Sequence, residues 1–281
     1  MFKKFISSLN RFWSSKACVI LQGYDVEKGA ATLGPKTFFN ALGPEECRIA
    51  YVDPCRRPVD SCFAQKNTER YQRFFQYQIL LKPAPNRESA QELFFQSLKS
   101  IDSSLKDDEL KFQPDSWTSP VFGAEGSGWE AWLNGSEIAQ LTYFNRMGDV
   151  KCRTTPLEIT YGLERVFTRL NEIDNFSDIV WSNDVSYGDL FDVAEREHSQ
   201  YNLKIASMER HAQLIDLYLK ECELAISEGL LHPALDFLLK AAHSYNIANN
   251  RGGGEEYIGE DTLSNIRTTA KLLAQSYLED E

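Results

Sequence analysis

Tyr51-Val52-Asp53-Pro54-Cys55-Arg56-Arg57-Pro58-Val59-Asp60, followed by Gln72-Arg73-Phe74-Phe75-Gln76-Tyr77-Gln78-Ile79, is the stretch that decides the fold. Residues 49–54 and 73–82 both read as strands, the second aromatic and β-branched. The polar segment from Arg56 to Tyr71 lies between them, so strand, loop and strand predict an antiparallel hairpin. Pro54 and Pro58 stiffen the backbone around two adjacent arginines. A guanidinium forks onto two phosphate oxygens and keeps its charge at any relevant pH. A pair of solvated arginines at a strand end fits the same pattern. Along the second strand, Arg73, Phe75 and Tyr77 share one face and Phe74, Gln76 and Gln78 the other. A ring beside arginines can stack a purine, and glutamines can fix small polar groups in a pocket. A core strand with one amphipathic face explains that alternation as well.

Upstream, Phe2, Phe5, Ile6, Leu9 and Trp13 recur at helical spacing, which predicts a core-docked helix over 1–16. Ser8, Asn10 and Arg11 break the apolar run, so it does not read as a signal peptide. Residues 17–22 read as a short buried strand, and 35–42 as a helix entered at Pro35. Downstream, a helix is expected over 88–103 and strands over 109–113, 129–133 and 137–145. Asn134-Gly135 joins the last two as a hairpin turn. Residues 157–171 read as a helix starting at Tyr161-Gly162. From about 188 the pattern is helical throughout: 189–197, 207–229, 233–247 and 260–279. His232-Pro233 marks one helix start, and Gly252-Gly253-Gly254-Glu255-Glu256 is a break between two helices. The fold class predicted is α+β on an antiparallel sheet over 1–187, followed by an all-helical part over 188–281.

Two further constellations carry potential chemistry. In Glu158-Ile159-Thr160-Tyr161-Gly162-Leu163-Glu164-Arg165, a glycine at a strand-to-helix junction lets the helix pack closely on the sheet. Arg165 then lies in the first helical turn, where it can reach a terminal phosphate or pair with Glu164 or Glu158. In Trp129–Phe144, Glu137, Ala139, Leu141 and Tyr143 read as sharing a strand face. Glu137 could hold magnesium between phosphates, since that ion prefers carboxylate oxygen and water; a lone strand glutamate is more often simply solvated.

Composition narrows the classes. The net charge is −11, divided unevenly. Residues 1–82 carry 13 Lys and Arg against 7 Asp and Glu, and the remainder is strongly acidic. A basic first part suits a phosphate-bearing small molecule, and an acidic remainder argues against a surface that wraps nucleic acid. The six cysteines show no Cys-x-x-Cys pair, so no zinc site is expected, and they fit a reducing cytosol. No run of 18 apolar residues exists. His198, His211, His232 and His243 all fall in the helical part, which separates them from any nucleophile on the sheet. No Gly-x-x-x-x-Gly-Lys loop or Gly-x-Gly-x-x-Gly turn is present.

Taken in order, these segments resemble one family, the alpha subunit of heterotetrameric glycyl-tRNA synthetase. The match includes Cys18–Glu27, Ala41–Glu45, Arg56-Arg57-Pro58, Gln76-Tyr77-Gln78, Leu81-Lys82-Pro83, Gly126–Glu130 and Leu141–Phe144. It continues through Ile159–Arg165, which looks like the third signature motif of class II synthetases, Asp178–Trp181 and Lys240–Asn246. The resemblance implies a class II antiparallel core and a glycine–tRNA ligase that makes glycyl-adenylate from glycine and ATP. It implies Arg56 or Arg57 on the ATP α-phosphate, Phe75 on adenine, and Arg165 on its other face or at the γ-phosphate. Arg73 would join the ATP site, and Glu137 would help hold Mg2+. Thr32, Gln76, Gln78, Glu130, Gln140, Thr142 and Glu158 would wall the glycine pocket. The implied partners are a beta subunit, a second alpha subunit in an alpha2beta2 assembly, and the acceptor end of tRNA(Gly), held mainly by beta. The implied setting is cytoplasmic, with no membrane.

The loop Ser61–Arg70 departs from the family pattern, as do Glu125 and Ser127. A carboxylate at 125 is expected to alter the charge beside the glycine site. The alternatives are a catalytically altered class II paralogue kept for partner binding or regulation, and an amino-acid:ATP ligase with a non-tRNA acceptor.

Overall fold

The computed structural model describes residues 1–65, 68–251, 257–259 and 261–279. The break read at Gly252–Glu256 lies outside the described residues, as does the first residue of the helix predicted over 260–279. The framework is an eight-stranded sheet. In chain order its strands are β1 (Val19–Leu21), β2 (Cys47–Arg56), β3 (Arg73–Lys82), β4 (Leu110–Ser119), β5 (Ala124–Leu133), β6 (Ser136–Met147), β7 (Val150–Lys151) and β8 (Leu157–Gly162). Their order across the sheet is β1-β2-β3-β8-β6-β5-β4, with β7 on β6. Every pairing is antiparallel except β1 with β2, which is parallel.

The hairpin predicted from the opening stretch is β2–β3, paired from Cys47↔Lys82 to Arg56↔Arg73. Asn134 and Gly135 take φ of 49° and 76°, the left-handed pair that suits a two-residue hairpin turn. Three readings need correction. Residues 157–162 are not helical but form β8, inserted between β3 and β6. Its Leu157-Glu158-Ile159-Thr160-Tyr161 alternates apolar and polar because one sheet face is core and the other is polar. The segment around 17–22 is an edge strand rather than a buried one, with Val19 61% exposed. The strand predicted over 109–113 runs on to Ser119. Pro114 and polar side chains are tolerated there because β4 is the other edge. A small hairpin, β9 (Val180–Ser182) with β10 (Val185–Ser186), carries no signal in the sequence strong enough to have been read.

Helices cover both faces. Over one face lie α1 (Phe2–Ser15), α3 (Arg87–Lys99) and α4 (Leu163–Leu170). Phe2, Phe5, Leu9 and Trp13 of α1 share a core with Tyr77, Ile79, Leu141, Ile159 and Tyr161. Over the other face lie α2 (Pro35–Leu42) and the helices α6 (Met208–Ser227), α7 (Leu231–Asn250) and α8 (Thr262–Glu279). These join Phe38, Phe122, Phe144 and Met147 in a second core. Between the two systems runs α5 (Tyr187–Gln200), started by a capping box of Ser186 and Asp189.

The second face is apolar only at one end; elsewhere it is a buried polar layer. Lys28 and Asp53 form an ion pair at 3.1 Å with both side chains fully buried. Lys28 also donates to the carbonyls of Tyr24 (2.9 Å) and Val26 (3.3 Å), and Asp53 Oδ1 accepts from the Tyr24 backbone N–H at 2.7 Å. Burial outweighs the cation, so the Asp53 carboxyl sits above its ordinary range. Beside this pair, Gln78 donates to Glu158 and to Thr37 (3.2 Å), while Thr160 donates to Gln78 (2.6 Å). Burial pushes the Glu158 carboxyl up to about 7, against the hydrogen bonds of Thr32, Gln78 and Thr160. Glu164, also buried, is likewise pushed up to about 7.

Two outcomes follow for stability. Lys28→Met leaves the Asp53 carboxylate buried without its cation, and is expected to cost about 3–5 kcal/mol. Adding Asp53→Asn should restore most of that, read from urea unfolding midpoints. The second concerns pH. Glu158 keeps its proton in the folded chain up to about 7, while the unfolded chain releases it near 4.5. Its contribution to stability is therefore full below the lower value and falls as pH rises through the window. Glu158→Gln removes that loss, and should gain on the parent by on the order of 3 kcal/mol between pH 4 and pH 8. Guanidinium unfolding at the two pH values checks it.

Candidate active site

The registers place one row of side chains on the polar face. Gln76 of β3 lies opposite Asp53 of β2 and Gly162 of β8. The next rung is Tyr51, Gln78, Thr160, Gln140, Glu130 and Gln113, and the one after contains Leu80, Glu158, Thr142 and Gly128. Above this face opens a cavity of about 760 Å³. Gln76, Gln140, Thr160 and Gly162 line it, whereas Thr32, Gln78, Thr142 and Glu158 form the buried layer behind. Gln76 Oε1 accepts from the Ala31 backbone N–H at 2.8 Å, which pins the loop after β1 across the sheet. Glu130 lies on the same row, and its carboxylate accepts from the Trp132 indole at 2.9 Å.

Arg57 and Arg165 both enter the cavity. Arg57 Nε donates to the Gly29 carbonyl at 2.6 Å, and its guanidinium lies 4.9 Å from the centre of the Phe74 ring. Arg165 comes from the first turn of α4, where Gly162 ends β8. Its guanidinium donates to the Glu137 carbonyl at 3.3 Å and lies 3.7 Å from the Glu137 carboxylate. Burial lowers the Arg165 pKa, partly offset by Glu137. Glu137 is raised by burial and then by the charge of Glu130, with Arg165 and Arg57 opposing.

Glu137 reaches the cavity because of a β-bulge. The register shifts between Ala131 and Trp132, with Ala131 opposite Ala139 and Trp132 opposite Glu137. Ile138 and Ala139 both turn into the core, and regular alternation is broken between Glu137 and Ala139. The expectation that Glu137, Ala139 and Leu141 share a face is therefore corrected.

Three candidates are not where the resemblance would put them. Phe75 packs on the opposite face against Trp181 and Phe191, at ring separations of 5.9 and 5.8 Å. Strand parity forces this: Phe74, with Gln76, faces the cavity instead. Arg73 shares the face of Phe75 and lies over the Phe75 and Phe191 rings. Arg56 does not line the cavity; its side chain reaches Glu27 at 3.5 Å. Glu125, expected beside the glycine pocket, instead pairs with Arg146 at 3.2 Å with about half its side chain in solvent.

The cavity also has walls that strand patterns could not announce. Lys28 and Gly29 come from the loop after β1, Glu69 and Arg70 from the end of the β2–β3 loop, and His243 and Asn246 from α7. Glu69 is held by Arg169 of α4 and by Ser136, at 3.2 Å. Asn250 donates to the Pro58 carbonyl at 2.9 Å, tying the far end of α7 to the start of the same loop.

A family model described as glycyl-tRNA synthetase alpha subunit matches residues 2–281. Among solved structures, the chain is similar to pyrrolysyl-tRNA synthetase from Desulfitobacterium hafniense, with 12% identity and a TM-score of 0.45. That match covers 66% of this chain and 75% of the other. It is also similar to Desulfitobacterium hafniense PylSc, a pyrrolysyl tRNA synthetase, with 10% identity and a TM-score of 0.43, over 66% of this chain and 74% of that one. With the family model spanning nearly every residue, the chain belongs to the glycyl-tRNA synthetase alpha subunit family, an ATP-dependent class II aminoacyl-tRNA synthetase family acting on glycine.

Proposed function

We propose that the cavity over the polar sheet face holds ATP and glycine for adenylate formation, with Arg57, Phe74 and Arg165 as its ATP contacts. The observation that carries this is their convergence: two guanidinium groups and a half-buried aromatic ring, with Arg57 over it at 4.9 Å, line a single cavity together with Glu137. Phe74 stacks adenine, Arg57 meets the α-phosphate, and Arg165 meets the γ-phosphate. Glycine sits on the row of Gln76, Thr160 and Gln140, backed by the buried layer of Thr32, Gln78, Thr142 and Glu158.

A glycine carboxylate oxygen attacks the α-phosphorus in line. The new O–P bond forms as the bond from that phosphorus to the oxygen bridging to the β-phosphate breaks, and pyrophosphate leaves. The attacking group is already an anion, so no general base is required. The work is alignment, together with positive charge placed where phosphate charge develops. Glu137, whose partly exposed carboxylate lines the cavity, is the residue that would hold magnesium, an ion that prefers carboxylate oxygen and water. Among the described residues no cluster of three or more His, Cys, Asp or Glu forms a preformed cage, so the ion would be shared with ATP. Bound there, it would neutralise charge between the phosphates.

The family implies a beta subunit and a tRNA substrate. We assign the bulk of tRNA binding to beta, in an alpha2beta2 assembly acting in the cytoplasm. The acidic composition beyond residue 82 supports the first part. No helix among the described residues is long and apolar enough to cross a membrane. Glu125 pairs with Arg146 away from the cavity, which favours an active ligase over an altered paralogue.

Glycine-dependent ATP–pyrophosphate exchange, with beta present, tests the assignment. Arg165→Ala should lower the exchange rate by about 10²–10³-fold, as for loss of a preorganised charge partner. Phe74→Ala should raise the KM for ATP by roughly tenfold or more through lost stacking. Phe75→Ala should leave that KM near the parent value and instead cost about 3 kcal/mol of stability. Exchange indifferent to Arg165 and Phe74 would defeat the proposal.

A further inference from the structure

Arg56, one residue before the arginine that enters the catalytic cavity, serves a different space. Its side chain lines a second cavity of about 370 Å³, at the seam between the end of the sheet and helices α5 and α7. Gln72, His198, Tyr201, Asn202 and His243 line it as well. Gln72 is only 2% exposed, yet its Nε2 has no hydrogen-bond partner among the described residues. The Nδ1 of His243 is buried and equally unpartnered. Buried polar atoms are nearly always satisfied, so two orphans facing one cavity point to an absent partner. Arg56 is loosely engaged: Glu27 is 3.5 Å away, and both side chains are about a third exposed or more, so water already weakens that pair. Burial and the nearby Arg56 hold His198 and His243 below the ordinary imidazole range, so both are neutral rings able to donate or accept. Glu197 also lines this cavity, and its carboxylate works against an anion there.

This is a recognition set for an anion attached to a polar body: one available guanidinium, one amide donor and two neutral imidazoles. Its place in the fold selects the occupant. His243 lines both cavities, so the two spaces adjoin through a single residue. A ligand occupying both would be a chain with a reactive end in the first and a phosphate near the second. The RNA acceptor strand has that form.

We infer that the second cavity receives the nucleotide preceding the terminal nucleoside of the RNA acceptor strand, its phosphodiester on Arg56 and its base edge on Gln72 and His243. The assignment rests on the adenylate-forming reading of the first cavity, and makes Gln72 a residue of the transfer step alone.

The test uses the alpha chain in complex with beta. Gln72→Leu removes the orphan amide, and Ala194→Phe fills the cavity from the half-buried face of α5. Thermal melting confirms that each variant is folded. Both are expected to keep ATP–pyrophosphate exchange, while the KM for tRNA in aminoacylation rises by about tenfold with kcat retained, the scale of one lost buried polar contact. An unchanged KM for tRNA in both folded variants overturns the inference, as does loss of exchange in both. Inorganic phosphate and free adenosine 5′-monophosphate are titrated against the complex in parallel. If either binds in a way that the variants abolish, while the KM for tRNA stays put, the cavity is a small-molecule site and the RNA assignment fails. A parent complex without exchange would instead defeat the adenylate reading, a different and recognisable outcome.

Discussion

A lysine ammonium and an aspartate carboxylate, both withdrawn from water, hold the loop after β1 against the sheet. Removing two charges from water is unfavourable, and the interaction between them recovers it only when other groups complete the shell. Here the chain itself supplies most of that shell: the Tyr24 amide on Asp53, and the Tyr24 and Val26 carbonyls on Lys28, while Asp53 Oδ2 has no hydrogen-bond partner among the described residues. The consequence is positional. With the loop fixed, the Ala31 amide meets Gln76 and the Gly29 carbonyl meets Arg57. One wall of the cavity and the orientation of the Arg57 guanidinium thus descend from a single buried pair. Tyr24 carries the constraint outward, since its hydroxyl donates to Asp236 of α7 at 2.6 Å.

The sheet divides its labour by face. Tyr77, Ile79, Leu141, Ile159 and Tyr161 bury one side under α1, α3 and α4. The other side carries glutamine, threonine and glutamate in cross-strand rows, which would be prohibitive without mutual hydrogen bonding. Gln78, Thr160, Glu158 and Thr37 satisfy one another, so the layer behind the cavity is rigid without being apolar. Glu164 does comparable work at the edge, accepting from the Phe75 amide and the Tyr187 hydroxyl, both at 2.8 Å. It holds the end of β3 beside the helix that supplies Arg165.

Much of this was legible in the residues. The alternation of β3, the Asn134-Gly135 turn, the helix entered at Pro35 and the glycine before Arg165 each follow from local stereochemistry. Parity alone separates Phe74 from Phe75; the family likeness points to Phe75, whereas the strand's period of two turns Phe74 to the cavity. What stayed hidden is what depends on register and on distant chain. The bulge at Ile138 is a tertiary accommodation with no composition of its own. Lys28 reads as an ordinary surface lysine until Asp53 is found opposite. His243 and Asn246 lie on a helix far along the chain, and only the packing of α7 brings them to the sheet. Residues 157–162 read as helix because a six-residue run beside a real helix offers too few periods to separate the two.

The bulge also sets how this part of the molecule tolerates change. Ile138 acts as a one-residue phase slip, and with it in the chain the carboxylate at 137 faces the cavity only because the strand bulges there. Substituting Ile138 with another apolar residue preserves the phase, and deleting it would leave Glu137 directly before Ala139, still opposite Trp132 and still on the polar face. Inserting one more residue between Glu137 and Ile138, with the bulge kept, would instead swing the carboxylate into the hydrophobic layer. The spacing from Glu137 to Ala139 is therefore open to shortening and closed to lengthening, so related chains should lose the bulge far more readily than they extend it.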